Sequence, residues 1–143
     1  MFTSNKKTKG ITLAEVLFSV AIMALVVTGV LVVFVQTVDM SKRINYDYTA
    51  VNIAKSRIER ARTVMATRGF ASLTDLAETD TILDQSGSPA SDGDFKRSTI
   101  IATNYDGNSR MTQIDVKVTY KYRGEWKDSA AVEIPTVFAN IQD

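Results

Sequence analysis

Residues 10–36 read GITLAEVLFSVAIMALVVTGVLVVFVQ, and within this run residues 16–35 carry no charged side chain. About 20 consecutive apolar residues are enough for one bilayer crossing as an α-helix. The only charge in the run is Glu15, at its front. A carboxylate in bilayer hydrocarbon costs about 2.5–3.5 kcal/mol, so its presence calls for a functional reason. The run therefore predicts a membrane-spanning helix with a functional glutamate at its start.

Two other interpretations of the apolar run fit less well. A buried core helix of this length would show a polar face. A removable secretory signal would have about 7–15 apolar residues followed by a small-residue cleavage site. This run is longer, and the sequence after it, VQTVDMSKR at residues 35–43, offers no such site. The membrane-spanning helix is the favoured interpretation.

The distribution of basic residues predicts the orientation of the span. Three lysines precede it directly: Lys6, Lys7 and Lys9. Basic residues flanking a span favour the cytoplasmic side. Lys42 and Arg43 at the far end weaken this signal, but Asp39 and Asp47 flank them. We expect a cytoplasmic N-terminus and a C-terminal portion outside the cytoplasm.

The composition of the chain limits the chemistry it can perform. The 143 residues are enough for one small domain and carry a net charge of +1, so no strong field attracts nucleic acid or acidic substrates. Cysteine and histidine are both absent, which removes disulfides, thiolate chemistry, the commonest general base and the usual zinc ligand. A membrane-anchored hydrolase would need a serine–lysine or carboxylate pair, and no spacing favours one. We expect no catalytic residue, no metal site, no cofactor and no enzymatic activity.

The segment KGITLAEVL, from Lys9 to Leu17, resembles the N-terminal signature of type IV pilins and type II secretion pseudopilins. A basic leader, a glycine, an apolar residue, Thr-Leu, a glutamate five positions after the glycine and a membrane helix occur there in order. The chain looks most like a minor pseudopilin of the I type or a V-type minor pilin. The only prolines, Pro89 and Pro135, lie outside the apolar run, whereas most filament-forming members of the family have one within it. This difference favours a straighter helix and a minor subunit.

The resemblance implies a processing reaction and a set of partners. A prepilin peptidase would cleave between Gly10 and Ile11 on the cytoplasmic side and then methylate the new amine of Ile11. The family usually has phenylalanine at that position, and Ile11 keeps its bulk and apolar character. The implied partners are this peptidase and methyltransferase, other pilins or pseudopilins, an inner-membrane assembly platform and membrane lipid. The implied location is the bacterial inner membrane, with a single pass and a periplasmic or extracellular C-terminal domain.

The implied cleavage would give the charge of Glu15 a partner. After cleavage, Ile11 would carry a cationic amine beside hydrocarbon, and Glu15 an anion in the same medium. Pairing the two relieves both desolvation costs. A pair formed between neighbouring subunits would fix their stagger along a filament, so Glu15 is the predicted register residue. The alternative is a carboxylate stabilised by the dipole at its own helix N-terminus and exposed at the membrane interface.

The helical pattern continues beyond the membrane run. Residues 36–68 contain neither proline nor glycine, and Gly69 is a natural stop. Apolar side chains recur in steps of three and four at Ile44, Tyr48, Val51, Ala54, Ile58, Ala61 and Met65. We expect one helix from about Thr12 to Arg68 whose second half is amphipathic. The basic cluster from Lys55 to Arg62 is interrupted by Glu59, so a solvated face with a few subunit contacts is favoured over a DNA-binding face. No nucleic-acid partner is expected.

The C-terminal half has the pattern of a small antiparallel sheet. Residues 70–77 are expected to form a short helix or irregular connection and residues 78–94 a solvated loop, whose four aspartates match no calcium-binding template. Residues 95–103 are expected to form a strand, and residues 114–122 alternate apolar and polar side chains in the clearest strand of the chain. After a turn at residues 123–125, residues 126–137 are expected to return as a strand broken near Pro135. Trp126 is expected in the core or at its rim.

These predictions combine into a fold class, a division of the chain and a function. The fold class is α+β, with a long N-terminal helix packed on a small antiparallel β-meander, as in pilins. The expected division is a leader at residues 1–10, an assembly helix at 11–36, its amphipathic continuation at 37–68 and an extracytoplasmic β-rich domain at 69–143. The leading functional prediction is a structural subunit of a pseudopilus or pilus-related filament. The alternative is a single-span membrane protein with an extracytoplasmic binding or adaptor domain.

Overall fold

The computed structural model describes residues 10–127 and 132–141, which form one long helix and five strands. Helix α1 spans Leu13–Arg68 and is followed by a 3₁₀ segment, Phe70–Leu76. The strands are β1 (Glu78–Leu83), β2 (Phe95–Thr103), β3 (Met111–Tyr122), β4 (Glu125–Trp126) and β5 (Val132–Ala139). The chain divides into two compact units between Ser41 and Lys42, and α1 contributes to both. The predicted α+β class and the predicted extent of the helix are confirmed.

The N-terminal unit contains residues 13–41 of α1, whose apolar side chains are exposed all round. Three of its hydroxyl groups form hydrogen bonds within the helix. Ser19, Thr28 and Thr37 each donate a hydrogen bond to the carbonyl oxygen four residues earlier, at 2.8 Å. Bilayer hydrocarbon offers no water for such groups, so a spanning helix must satisfy them internally. The local structure is therefore compatible with insertion into a membrane.

In the C-terminal unit, residues 42–68 of α1 pack on the sheet through small and branched side chains. Ala50, Ile53, Ala54, Ile58 and Ala61 are buried in the core. The predicted stripe is thus correct in its middle and wrong at its start, because Ile44 and Tyr48 are 57% and 66% exposed. The half-buried residue in that region is Tyr46. Apolar residues occupy two neighbouring helical rows between residues 44 and 54, so periodicity alone did not select the buried one.

The sheet is antiparallel throughout, with β3 at its centre. β2 pairs with one edge of β3, and β1 pairs with the outer edge of β2. β4 and β5 both pair with the other edge of β3, β5 along Met111–Val118 and β4 at Lys121 and Tyr122. Ile114, Val116, Val118 and Tyr120 on β3 are almost completely buried. The predicted alternation of β3 is confirmed, and β3 contributes as many buried apolar residues to the core as α1 does.

Two local predictions about the sheet were wrong. Residues 78–83 form β1 and not a loop; the strand is polar because it lies at the sheet edge, with a register shift between Glu78 and Thr81. The returning strand is not broken near Pro135, which sits within β5 opposite Asp115. β5 is an edge strand, where a proline need not donate to a neighbour. Among the described strands, β1 forms one outer edge of the sheet, and β4 and β5 form the other.

Aromatic rings fill the core at the end of the unit where residue 46 lies. Tyr46 stacks on Tyr120, with ring centroids 5.3 Å apart, and meets Tyr122 edge-on at 6.3 Å. Phe95 completes the group at 5.7 Å from Tyr46. Trp126 is half-buried and lies outside this core, with the Lys96 ammonium 4.7 Å from its ring centroid. Trp126 is therefore a rim residue, one of the two positions predicted for it.

Candidate functional site

The predicted cleavage site lies immediately before the first turn of α1. Gly10 and Ile11 are exposed and non-helical, and the helix begins at Leu13. Exposed segments outside regular structure are preferred substrates for proteases. A methyl group at Gly10 would meet nothing within 4 Å, so the fold itself places no demand for glycine there. A requirement for Gly10 would therefore come from recognition by a peptidase.

Thr12 fixes where the helix begins. The backbone N–H of Glu15 donates to Thr12 Oγ1 at 3.3 Å, and the N–H groups of Glu15 and Val16 donate to the Thr12 carbonyl oxygen at 3.0 and 3.2 Å. Thr12 thus occupies the N-cap position and Glu15 the third helical position, the spacing of a capping box. The cap orders the residues just after the predicted cleavage bond and leaves that bond outside the helix.

Glu15 is exposed in the first turn of α1, where a carboxylate interacts favourably with the helix dipole. This placement fits the alternative described above for a single chain. It also leaves the carboxylate accessible to a cation on another chain. The lysines of the predicted leader, Lys6, Lys7 and Lys9, lie outside the described residues.

One helix among the described residues, α1, is long and apolar enough to cross a membrane by length and composition. Its apolar part lies in the N-terminal unit, where none of the side chains from Val16 to Val35 is buried. Apolar side chains exposed to this extent need another environment than water, either lipid or neighbouring helices. The segment that follows Glu15 is suited to both.

Comparison with known proteins identifies the N-terminal segment. The family model described as the prokaryotic N-terminal methylation motif matches residues 5–31. The chain carries this motif. The match includes Gly10, Ile11, Glu15 and much of the apolar run, so the predicted prepilin-type signal is confirmed and α1 is a membrane anchor with a single span. No curated protein and no solved structure matches the chain. The resemblance to a minor subunit of the I or V type stays a prediction.

A buried ionic cluster in the C-terminal unit was missed at the level of sequence. Arg57 on α1 lies 3.2 Å from the carboxylate of Glu78 on β1, and Arg97 on β2 pairs with both oxygens of the same carboxylate. Thr99 donates to Glu78 Oε1 at 2.9 Å, and Arg57 also donates to the Leu76 carbonyl oxygen at 2.7 Å. The cluster joins the helix, the 3₁₀ segment and two strands. This buried position is that of a group that stabilises the packing of these elements, not that of an open reaction site.

The electrostatics of this cluster follow from its burial. Burial works to raise the pKa of Glu78, but the hydrogen bonds and charge of Arg97, with Thr99 and Arg57, outweigh it and hold that pKa below its usual value. Burial is also the main cause of a lowered pKa at Arg57, against the opposing charge of Glu78. An arginine stays charged at any physiological pH. Glu78 is therefore a carboxylate between two permanent cations.

The basic residues from Lys55 to Arg62 were predicted to form a solvated face. Lys55, Arg60 and Arg62 of the basic cluster are exposed as predicted, and Arg62 pairs with Glu59 at 2.6 Å. Arg57 is the exception, because it points into the core.

In the connection after β1, Asp84 accepts hydrogen bonds from the N–H groups of Ser86 and Ser88, and the Ser86 hydroxyl lowers the pKa of that carboxyl. Within the described ranges, no three acidic side chains are grouped as a metal site would need.

Proposed function

We propose that this chain is a structural subunit of a type II secretion pseudopilus or a type IV pilus-related filament, processed by a prepilin peptidase. The observation that carries the proposal is the N-terminal methylation motif over residues 5–31, placed directly on an exposed apolar helix. The peptidase cleaves between Gly10 and Ile11 and methylates Ile11. The cap at Thr12 keeps the helix start in place before and after this reaction.

Assembly follows from the same segment. Apolar side chains on all sides of residues 16–35 leave the bilayer and become buried against the helices of neighbouring subunits, so the hydrophobic effect acts in the filament as it does in lipid. The charge of Glu15 pairs with the methylated amine of Ile11 on an adjacent subunit and sets the register. An assembly platform in the inner membrane supplies the work of extraction. Most of the remaining chain forms a unit exposed outside the cytoplasm, and the family subtype proposed is a minor subunit.

The competing function is a membrane-tethered binding or adaptor domain that never assembles. Recovery of the wild-type chain in sheared filaments separates the two, and replacing Glu15 tests how the chain assembles. We expect Glu15→Ala to be recovered from the membrane in normal amounts, with an intact C-terminal unit, and to be depleted at least about tenfold from sheared filaments, the effect of losing roughly 1.4 kcal/mol per subunit contact. The matched control is Glu133→Ala, which removes an exposed carboxylate on β5. Incorporation of Glu15→Ala at the level of the control would contradict the proposed role of the charge.

A further inference from the structure

A polar cavity lies between α1 and the connection that joins β1 to β2. It has a volume of about 250 Å³ and is lined by Lys42, Asn45, Tyr46, Thr49, Gln85 and Phe95. All of these residues belong to the C-terminal unit. The volume corresponds to about eight water molecules at about 30 Å³ each. The cavity therefore has room for one small ring with polar substituents.

The wall that α1 contributes is attached to the core of the unit. Its four residues share one helical face, because they recur in steps of three and four at positions 42, 45, 46 and 49. The Tyr46 ring stacks on that of Tyr120 and lies 5.7 Å from the ring of Phe95, which is 1% exposed. Core packing therefore fixes the aromatic part of the cavity.

The opposite wall is a turn that is held by its own hydrogen bonds. Gln85 lies between Asp84 and Ser88, whose backbones are joined by an N–H···O bond of 2.9 Å, and the Asp84 carboxylate accepts from the Ser88 N–H at 3.0 Å. The turn also packs on α1, since a Cβ added at Gly87 would lie 3.4 Å from Ile53 Cγ1. Both walls are thus in place before any ligand arrives, as in most small-molecule sites.

Most of the polar groups of the cavity can both donate and accept hydrogen bonds. Within residues 10–127 and 132–141, the carboxamides of Asn45 and Gln85 have no hydrogen-bond partner. Each carboxamide offers donor hydrogens and an acceptor oxygen. The Thr49 hydroxyl donates to the Asn45 carbonyl oxygen at 2.9 Å and can still accept, while the Lys42 ammonium only donates. A simple anion would use donors alone, whereas a molecule with several hydroxyl groups uses donors and acceptors together.

We propose that this cavity binds a neutral pyranose sugar through the carboxamides of Asn45 and Gln85. Hydroxyl groups of the ring donate to and accept from the two carboxamides, and the Lys42 ammonium donates to a further hydroxyl. The C–H groups of the ring are apolar and pack on the lining that Tyr46 and Phe95 supply. The proposal goes beyond the proposed function and depends on neither cleavage nor assembly, so a chain that is never processed would still bind the sugar.

Ligand-observed NMR on the full chain tests the site. The chain is held in micelles of dodecylphosphocholine, a detergent without a sugar, and saturation transfer is measured to glucose, galactose and N-acetylglucosamine, each added alone. We expect transfer to at least one of the three, and titration then gives its dissociation constant. Asn45→Ala and Gln85→Ala should each raise this constant at least about fivefold, the effect of losing one neutral hydrogen bond.

The matched control is Asn52→Ala, which removes an exposed carboxamide from the same helix outside the cavity. It should leave the dissociation constant unchanged. Trp126 fluorescence, from the only tryptophan, shows whether each variant is folded. Absence of transfer to all three sugars, or equal binding by both cavity variants and the control, would overturn the proposal. Binding of glucuronate by a chain that binds none of the neutral sugars would make the cavity an anion site and would equally overturn it.

Discussion

Arg57 and Arg97 bring two positive charges against one carboxylate in the interior of the C-terminal unit. Both arginines are buried, and the Glu78 side chain is only 16% exposed. Removing one partner from a buried pair leaves a charge without compensation, which is far more costly than replacing the whole group by apolar side chains. Glu78 is the member on which both arginines depend, so its charge should be the most sensitive in the unit.

We expect Glu78→Gln to lower the free energy of unfolding of the C-terminal unit by roughly 3 kcal/mol, because Arg57 and Arg97 lose their counter-charge. Denaturant titration of the full chain in detergent micelles, followed by Trp126 fluorescence, measures this. Glu133→Gln changes an exposed glutamate and should cost less than about 0.5 kcal/mol. Equal stability of the two variants would show that the cluster contributes little.

The difference in the free energy of unfolding between wild type and Glu78→Gln is expected to depend on pH. The pKa of Glu78 is lowered in the folded state, so its stabilising contribution is complete above the usual glutamate pKa of about 4.3 and is lost as the pH falls through the folded value. The stability difference between wild type and Glu78→Gln should be constant from about pH 5 to about pH 7 and shrink below about pH 4. A difference that grows on acidification would contradict this sign.

At the scale of elements, the connection between β1 and β2 shows how closely the backbone can pack at a glycine. The chain after β1 folds back, with the Ala90 N–H donating to the Ile82 carbonyl oxygen at 3.1 Å. A Cβ at Gly93 would lie 1.9 Å from the Leu83 carbonyl oxygen, so the two backbone segments could not keep their present contact. Leu83 is fully buried, which means that a shift there would be transmitted to the core.

Gly93→Ala should therefore destabilise the C-terminal unit by about 3 kcal/mol, the upper end of typical overpacking costs. Gly107→Ala is the matched control, because that glycine has a positive φ of 74° but open space around it. It should cost about 1 kcal/mol from backbone strain alone. Thermal or denaturant unfolding of both variants measures this difference. A smaller loss of unfolding free energy for Gly93→Ala than for Gly107→Ala would show that the connection between β1 and β2 relaxes easily.

The elements differ in how far their sequences predicted them. β3 and α1 were predictable because long, regular periodicities allow only one kind of structure. β1 was missed because Glu78 and Asp80 belong to a polar, irregular edge strand that has no apolar alternation. The buried role of Arg57 was readable in principle, since it lies three residues after Ala54 and four after Ile53 on the same face. It was missed because arginine is so rarely buried that its residue type outweighed its position.

The N-terminal methylation motif was predictable for a different reason. It is recognised by the local order and spacing of residues such as Gly10, Ile11 and Glu15, and Thr12 provides the helix cap. The roles proposed for these three residues stay predictions. The contacts of Arg43 and Lys127 with the Tyr122 ring were not predictable, because these two residues are far apart in sequence and meet only through the tertiary fold. Short-range motifs can be read from the chain, whereas contacts between distant segments require the structure.

At the scale of the whole molecule, the two units present different surfaces for different purposes. The N-terminal unit exposes apolar side chains that need lipid or other helices, while the C-terminal unit closes its own core around β3. A filament subunit needs both, since one surface is exchanged between environments and the other stays folded throughout. The proposed cleavage and methylation would convert the first unit from an anchored precursor into an assembly element.

The N-terminus of the chain isolated from native membranes tests that event most directly, by intact-mass and N-terminal fragment spectrometry. We expect a chain that begins at Ile11 and carries one additional methyl group on its amine, while Gly10→Ala remains uncleaved and unmethylated. Gly29→Ala, at another glycine with open space around it, should be processed normally. A wild-type chain that retains the residues before Ile11, in cells that process other prepilins, would contradict the proposed function and leave a membrane-tethered domain.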